Sequence, residues 1–179
     1  MSVSKPQTFL GQKMTQLPQE LTIWESFFNE HPIKTFIELG TGNGGMSLFF
    51  ALQCYQRKIF FHTFDNQKFF DFDNGVPPLL NLWGSFHFVD LFSDEGKRQV
   101  VELIDTFPHP MAIFFDNGDK PREWGMFAGL THPGDFLIVH DWDNEFLDKD
   151  IGEVVVNKIL LEERDERKPN WMTMFFVRP

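Results

Sequence analysis

Acidic residues recur in this chain at one kind of place, at or directly after the end of a short apolar run. "KTFIEL" carries Glu38, "KIFFHTF" is followed by Asp65, "SFHFVD" ends on Asp90, "MAIFFD" on Asp116 and "DFLIVHD" on Asp141. Asp and Glu together are 26 of 179 residues, too few for this repeated placement to follow from composition. Carboxylates gathered on one rim repel one another, and each unit of pKa shift costs ~1.4 kcal/mol. A cationic ligand or a metal ion would offset that cost.

A second pattern follows the first of these acids. In "TFIELGTGNGG", Gly40, Gly42 and Gly45 satisfy the spacing G-x-G-x-x-G of a dinucleotide loop, and Gly40, Gly42 and Gly44 equally satisfy G-x-G-x-G. Glycine spacing alone does not choose between them. Glu38 does: it lies two residues before Gly40, a poor neighbour for a pyrophosphate and a good one for a ligand bearing a sulfonium and an ammonium. Asp65, twenty residues after Gly45, can accept both ribose hydroxyls in either reading.

These residues need a scaffold that brings them together. The acid-terminated runs read as strands and the segments between them as helices. "PQELTIWESFFNEH" sets Leu21, Trp24, Phe27 and Phe28 at helical spacing, starting at Pro18 and ending at His31-Pro32. "NGGMSLFFALQCYQ" reads as a helix with Leu48, Leu52 and Tyr55 on one face, and a short helical piece is expected around "PPLLNLW". "SDEGKRQVVELIDTF" has Ser93 as its cap, and "PREWGMFAGL" has Pro121 in its first turn. "IGEVVVNKILLEER" fits helix or strand, "LEERDERKP" an exposed turn, and "WMTMFFVRP" a last strand. Strands alternating with helices predict an α/β fold of three layers, with a mostly parallel central sheet, a final antiparallel strand and ligands beyond the carboxyl ends of the strands. Residues 1–17 are polar and are read as a flexible N-terminal segment, mobile or draped over the body; 18–179 are read as a single domain.

Net charge is −10 and the sequence pI about 4.9, which disfavours nucleic acid and anionic membrane as partners. The one cysteine, Cys54, excludes an intramolecular disulfide and reads as an inert buried thiol. The N-terminus has no signal-peptide core and no window approaches a membrane span, so a cytoplasmic protein is expected. Assembly into a homo-oligomer is left open.

"FIELGTGNGG" resembles motif I of the class I S-adenosylmethionine-dependent methyltransferases, "HTFDNQ" their second-strand acid, and "HFVDLF" the segment flanking adenine. "IFFDNGDKPREWGMFAGLTHPGDFLIVHDW" is similar to the small catechol-type, macrocin-type and cephalosporin-hydroxylase-like subgroup, with Pro133-Gly134-Asp135 and His140-Asp141 in the expected places. The resemblance spans roughly residues 33 to 142. It implies a Rossmann-like methyltransferase fold and methyl transfer from S-adenosylmethionine to a small-molecule acceptor, with a hydroxyl oxygen the acceptor if a divalent metal assists. It further implies that Gly40, Thr41, Gly42, Asn43 and Gly44 lie against the methionine part, with Glu38 near its charged end. Asp65 and Asn66 would hold the ribose, and Asp90 and Leu91 would border the adenine.

In the metal-dependent members, Asp116 and Asp141 would fall where carboxylates hold a divalent cation, an arrangement that suits Mg²⁺. Asp116 also borders the cofactor in that scheme. The chain departs from the catechol-type pattern after the fifth strand, so the third ligand is His140, Asp143, Asn144 or none. Asp116, Asp141 and Lys120 are the catalytic candidates. Lys120 would be a base toward an acceptor hydroxyl only with a depressed pKa and reach; an exposed lysine in the first helical turn is the plainer reading. His62 reads as a packed histidine and Trp124 as core, while Trp142 is open between pocket and core. The rival readings are a nicotinamide-dependent oxidoreductase on a Rossmann-like sheet, against which Glu38 counts, and a non-catalytic cofactor- or partner-binding relic, which the short chain favours.

Overall fold

Alternation of apolar side chains builds the sheet in this protein, whose computed structural model describes residues 7–66, 76–159 and 173–179. The first described residues form a small antiparallel hairpin, β1 (Thr8–Phe9) and β2 (Gln12–Lys13). Then come α1 (Pro18–Glu30), β3 (Thr35–Leu39), α2 (Gly45–Arg57) and β4 (Phe60–Asp65). They are followed by α3 (Val76–Trp83), β5 (Ser85–Phe88), α4 (Asp94–Thr106) and β6 (Met111–Phe115). The chain continues through α5 (Lys120–Phe127), β7 (Phe136–Val139), β8 (Asn157–Ile159) and β9 (Met174–Val177).

Seven strands make the main sheet in the order β5-β4-β3-β6-β7-β9-β8. The first five pair in parallel; β9 runs antiparallel to both β7 and β8. The final strand β9 is thus the one reversed strand of the sheet, as expected, and "IGEVVVNKILLEER" supplies β8 at its middle, which pairs with β9 at the edge and runs in the same direction as the first five. The rest of that stretch from residue 160, and the "LEERDERKP" turn, lie outside the described residues, as do residues 1–6.

Side chains on the two faces of the sheet join two cores. Phe36, Phe61, Ala112, Phe114, Phe136, Ile138 and Phe175 face a cluster with α1, α2 and α3. Ile37, Leu39, Phe64, Ile113, Phe115, Leu137, Val139 and Phe176 face another with α4 and α5. This two-residue period is what a sheet covered by helices on both sides requires. The excess of phenylalanine is used in the first cluster, where the Trp24 ring meets Phe27, Phe28, Phe36, Phe50, Phe114 and Phe175 at centroid distances of 4.6 to 6.1 Å.

Helix α2 corrects one expectation. It buries Ser47, Phe50, Ala51 and Cys54 along with Leu48, whereas Tyr55 is 61% exposed. The helix is covered on more than one side, by the sheet through Phe50 against Phe36 and by the hairpin through Phe9 against Phe49. Residues 7–17 are thus draped over the body, with Met14 and Gln16 buried. Trp124 and Trp142 both belong to the α4–α5 core, which closes the question over Trp142 in favour of packing. His62 is packed beside His87, and burial lowers its pKa to about 4.

Candidate functional site

The order of the strands reverses between β3 and β6, and in an open α/β sheet such a switch point leaves a crevice beyond the carboxyl ends. The glycine loop fills the mouth of that crevice. Its first residues are held by β4: Gly40 N and Thr41 N both donate to Phe64 O, at 2.9 and 3.1 Å. Gly40 has φ +107°, and a Cβ there would lie 2.5 Å from Asp116 O, so only glycine lets the loop cross so close to β6. Gly42 N donates to Asp65 Oδ2 at 2.8 Å. The loop and the second-strand acid are one unit.

Glu38 lies under this loop, 1% exposed. Thr63 Oγ1 donates to its Oε2 at 2.5 Å, and Thr63 Oγ1 is in turn 2.6 Å from Thr41 Oγ1. Burial raises its pKa to about 8; hydrogen bonds from Ser47 and Thr63 act against that rise, and the negative charges of Asp116 and Asp65 add to it. A cavity of about 90 Å³ opens beside it, walled by Glu38, Gly40 to Met46, Asp116 and the strap Lys13 to Gln16. Gln16 Nε2 donates to Asp116 Oδ2 at 2.7 Å and closes one side.

A second group lies at the ends of β6 and β7. Asp116 and His140 share strand parity with Phe114 and Ile138, so they face α1, where Glu20 is buried. His140 Nδ1 is 3.3 Å from Asp116 Oδ1 and 3.2 Å from Asp141 Oδ2, and its Nε2 is 3.6 Å from Glu20 Oε1. Burial opposes the charge on His140, but the carboxylates of Asp116, Asp141 and Glu20 prevail and raise its pKa to about 12. Asp141 has φ +56°. Burial pushes its pKa upward, and His140 and Lys120 override this, holding it below the usual carboxylate range.

Lys120 does not match either reading made from the sequence. It is buried, with Nζ 2.8 Å from Asp141 Oδ2, 2.7 Å from Glu145 Oε2 and 3.6 Å from Asp116 Oδ1. Desolvation works to lower its pKa, but Asp116, Asp141 and Glu145 raise it above the ordinary lysine value. A lysine in this state is not exposed, and it holds its proton too firmly to be a base at neutral pH.

The remaining predicted residues fall as follows. Asn43 and Gly44 line the cavity. Asn66 is exposed at the end of β4. Asp90 is exposed and shapes a turn, accepting from Phe92 N at 2.9 Å, while Leu91 is buried. Asp143 and Asn144 are exposed; among the described residues His140 is the one that joins Asp116 and Asp141, with ligand atoms of the three within 4.8 Å of one another. Sequence reasoning missed Glu20, Gln16 and Glu145. Glu20 had a signal, since it falls on the Ile23, Trp24 and Phe27 stripe of α1, where an acid is out of place. Gln16 and Glu145 had none.

No family profile and no curated protein matches the chain. Solved structures do. The fold is similar to CmcI with Mg-SAM, at 20% identity and a TM-score of 0.61, over 75% of this chain and 57% of that one. It is similar to CmcI with SAH at 17% identity and a TM-score of 0.68, over 97% of this chain and 84% of that one. The O-methyltransferase TomG from Streptomyces achromogenes, in complex with SAM, aligns at 12% identity with a TM-score of 0.58, over 93% of this chain and 82% of TomG. The chain therefore spans 57% of the length of the first of these structures and has the Rossmann-like methyltransferase fold.

Proposed function

We propose that this chain binds S-adenosylmethionine in the crevice between β3 and β6 and transfers its methyl group to a small-molecule acceptor. The observation that carries this reading is the buried Glu38 under a glycine loop pinned by Asp65, beside a cavity at the switch point of the sheet. The similarity to structures holding SAM or SAH supports it. S-adenosylmethionine supplies an electrophilic methyl on a sulfonium, with an ammonium nearby. Glu38 offers that cationic end a counter-charge which a pyrophosphate would not tolerate. The backbone of Gly40 to Gly44 gives it a close, Cβ-free surface. Asp65 fixes that surface through Gly42. The chain's contribution to the transfer is orientation of donor and acceptor for in-line displacement, a term that can supply several kcal/mol.

Asp116, Asp141 and His140 converge as a metal site would, but the side chains around them do not fit a divalent ion. The oxygens it would need already face the Lys120 ammonium and the His140 ring. No step of the proposed reaction runs through a metal.

Calorimetry with S-adenosylhomocysteine tests the reading, with NADH as the competing ligand. Binding of the former and silence of the latter is expected. Heat with NADH alone would support the oxidoreductase reading, and no heat with either would remove the cofactor site.

A further inference from the structure

We propose that the cation belonging to the Asp116–Asp141 pair is the ammonium of Lys120, and that this site excludes a divalent metal ion. The role of the site in methyl transfer rests on the reading above; the identity of its cation rests on geometry alone. Lys120 Nζ has three protons and three carboxylates around it, at 2.7, 2.8 and 3.6 Å, and its side chain is 3% exposed. It is not a surface side chain that has drifted inward. Lys120 opens α5, whose cap is Asp119, accepting from Arg122 N at 3.3 Å. The turn that leads to it is held by the fully buried Glu123, which accepts from Asn117 N and Asp119 N at 3.4 and 3.3 Å. The backbone therefore delivers the ammonium to the gap between β6 and β7.

The His140 ring approaches the same two oxygens. Asp116 Oδ1 and Asp141 Oδ2 each face both Lys120 Nζ and His140 Nδ1. A magnesium ion requires near-octahedral oxygen ligands at ~2.0–2.1 Å, and these oxygens are the ones it would take. Its entry would take two of the three carboxylates from a buried ammonium and leave it Glu145, a costly arrangement beside a second cation. Lys120 is thus a positioning residue. It sets the spacing of the two strand-end carboxylates, as a bound ion would.

The test uses Mn²⁺ alone as the probe, titrated against the full chain and read by loss of the free-ion electron paramagnetic resonance signal. Wild type and Asp141→Asn should both leave the signal undiminished. Lys120→Met, which takes the ammonium away from both oxygens and leaves the His140 ring beside them, should bind one Mn²⁺ per chain. One Mn²⁺ bound by wild type and lost in Asp141→Asn would overturn the proposal, and so would silence from a folded Lys120→Met. If Lys120→Met does not fold, the comparison of wild type with Asp141→Asn decides. In parallel, S-adenosylhomocysteine should bind wild type equally in EDTA and in Mg²⁺. Failure to bind under both conditions would sink the methyltransferase reading and leave the Mn²⁺ result to stand by itself.

Discussion

On the proposed reading, Glu38 is a carboxyl that should change state when S-adenosylmethionine binds. With its pKa raised to about 8 by burial, it is mostly protonated at pH 7 before a ligand binds. A sulfonium and ammonium placed beside it favours the carboxylate, so binding should release a proton. Calorimetry with S-adenosylmethionine at pH 7, in buffers of different ionisation enthalpy, should show a buffer-dependent heat in wild type and none in Glu38→Gln. Equal heats in wild type across the buffers would refute this coupling. Asp65 and Asp141 divide the labour differently. Asp65→Ala loses a charge-assisted bond to Gly42 N, and should weaken S-adenosylhomocysteine binding by ~1.5–3 kcal/mol. Asp141→Ala should leave that affinity nearly intact and lower turnover, because it removes one of the two strand-end carboxylates whose spacing Lys120 sets. If both variants lost affinity equally, the separation of cofactor crevice from strand-end cluster would be wrong. At this scale Glu38, Asp65 and the glycines were legible because strand ends and glycine spacing are local patterns. The state of Lys120 was not, because Glu145 and Asp141 reach it from a loop more than twenty residues away.

Among the elements, α4 was the most legible, and its energetics can be separated from the site. Ser93 Oγ accepts from Gly96 N at 3.0 Å, as the sequence indicated. Ser93→Ala should cost ~1 kcal/mol of stability, measured by urea denaturation. Affinity for S-adenosylhomocysteine should not change, because α4 packs on the face of the sheet away from Glu38. A parallel loss of affinity would mean that the two faces are coupled. The N-terminal strap predicts the opposite pattern. A Cβ on Gly45 would lie 2.5 Å from Lys13 O, and Gln16 holds Asp116. Gln16→Ala removes one hydrogen bond from the cavity wall and should alter ligand affinity more than thermal stability; the reverse result would make the strap a structural brace only. The strap was illegible since its contacts are made singly by polar residues without periodicity. The face of α2 was misread for a related reason: a helix covered by both sheet and hairpin has no single apolar stripe for the sequence to show.

For the whole molecule, the groups whose pKa values shift most set the direction in which stability changes with pH. Glu38 and Glu123 are each raised from 4.5 to about 8, chiefly by burial, so the folded chain holds protons that the unfolded chain has lost. Their contribution is fully present below 4.5 and disappears as pH rises through about 8. His140, raised from 6.5 to about 12, contributes below 6.5 and loses that contribution progressively above it. Asp141 has the other sign: its folded pKa lies below 3.8, so its contribution exists above that value and is lost as pH falls. Together these terms make stability fall as pH rises from the acid side of neutrality through about 8. The net charge of −10 acts in the same direction, since self-repulsion grows as the remaining carboxyls ionise. Glu123→Gln separates the two causes. Asn117 N and Asp119 N donate to different oxygens of Glu123, so a neutral amide can accept from only one of them; it cannot ionise, so the variant should start lower at pH 5 yet decline less steeply than wild type between pH 5 and 8. Thermal midpoints measured across that range decide the matter, and a wild-type midpoint that rises from pH 5 to pH 8 would contradict the burial of both carboxyls.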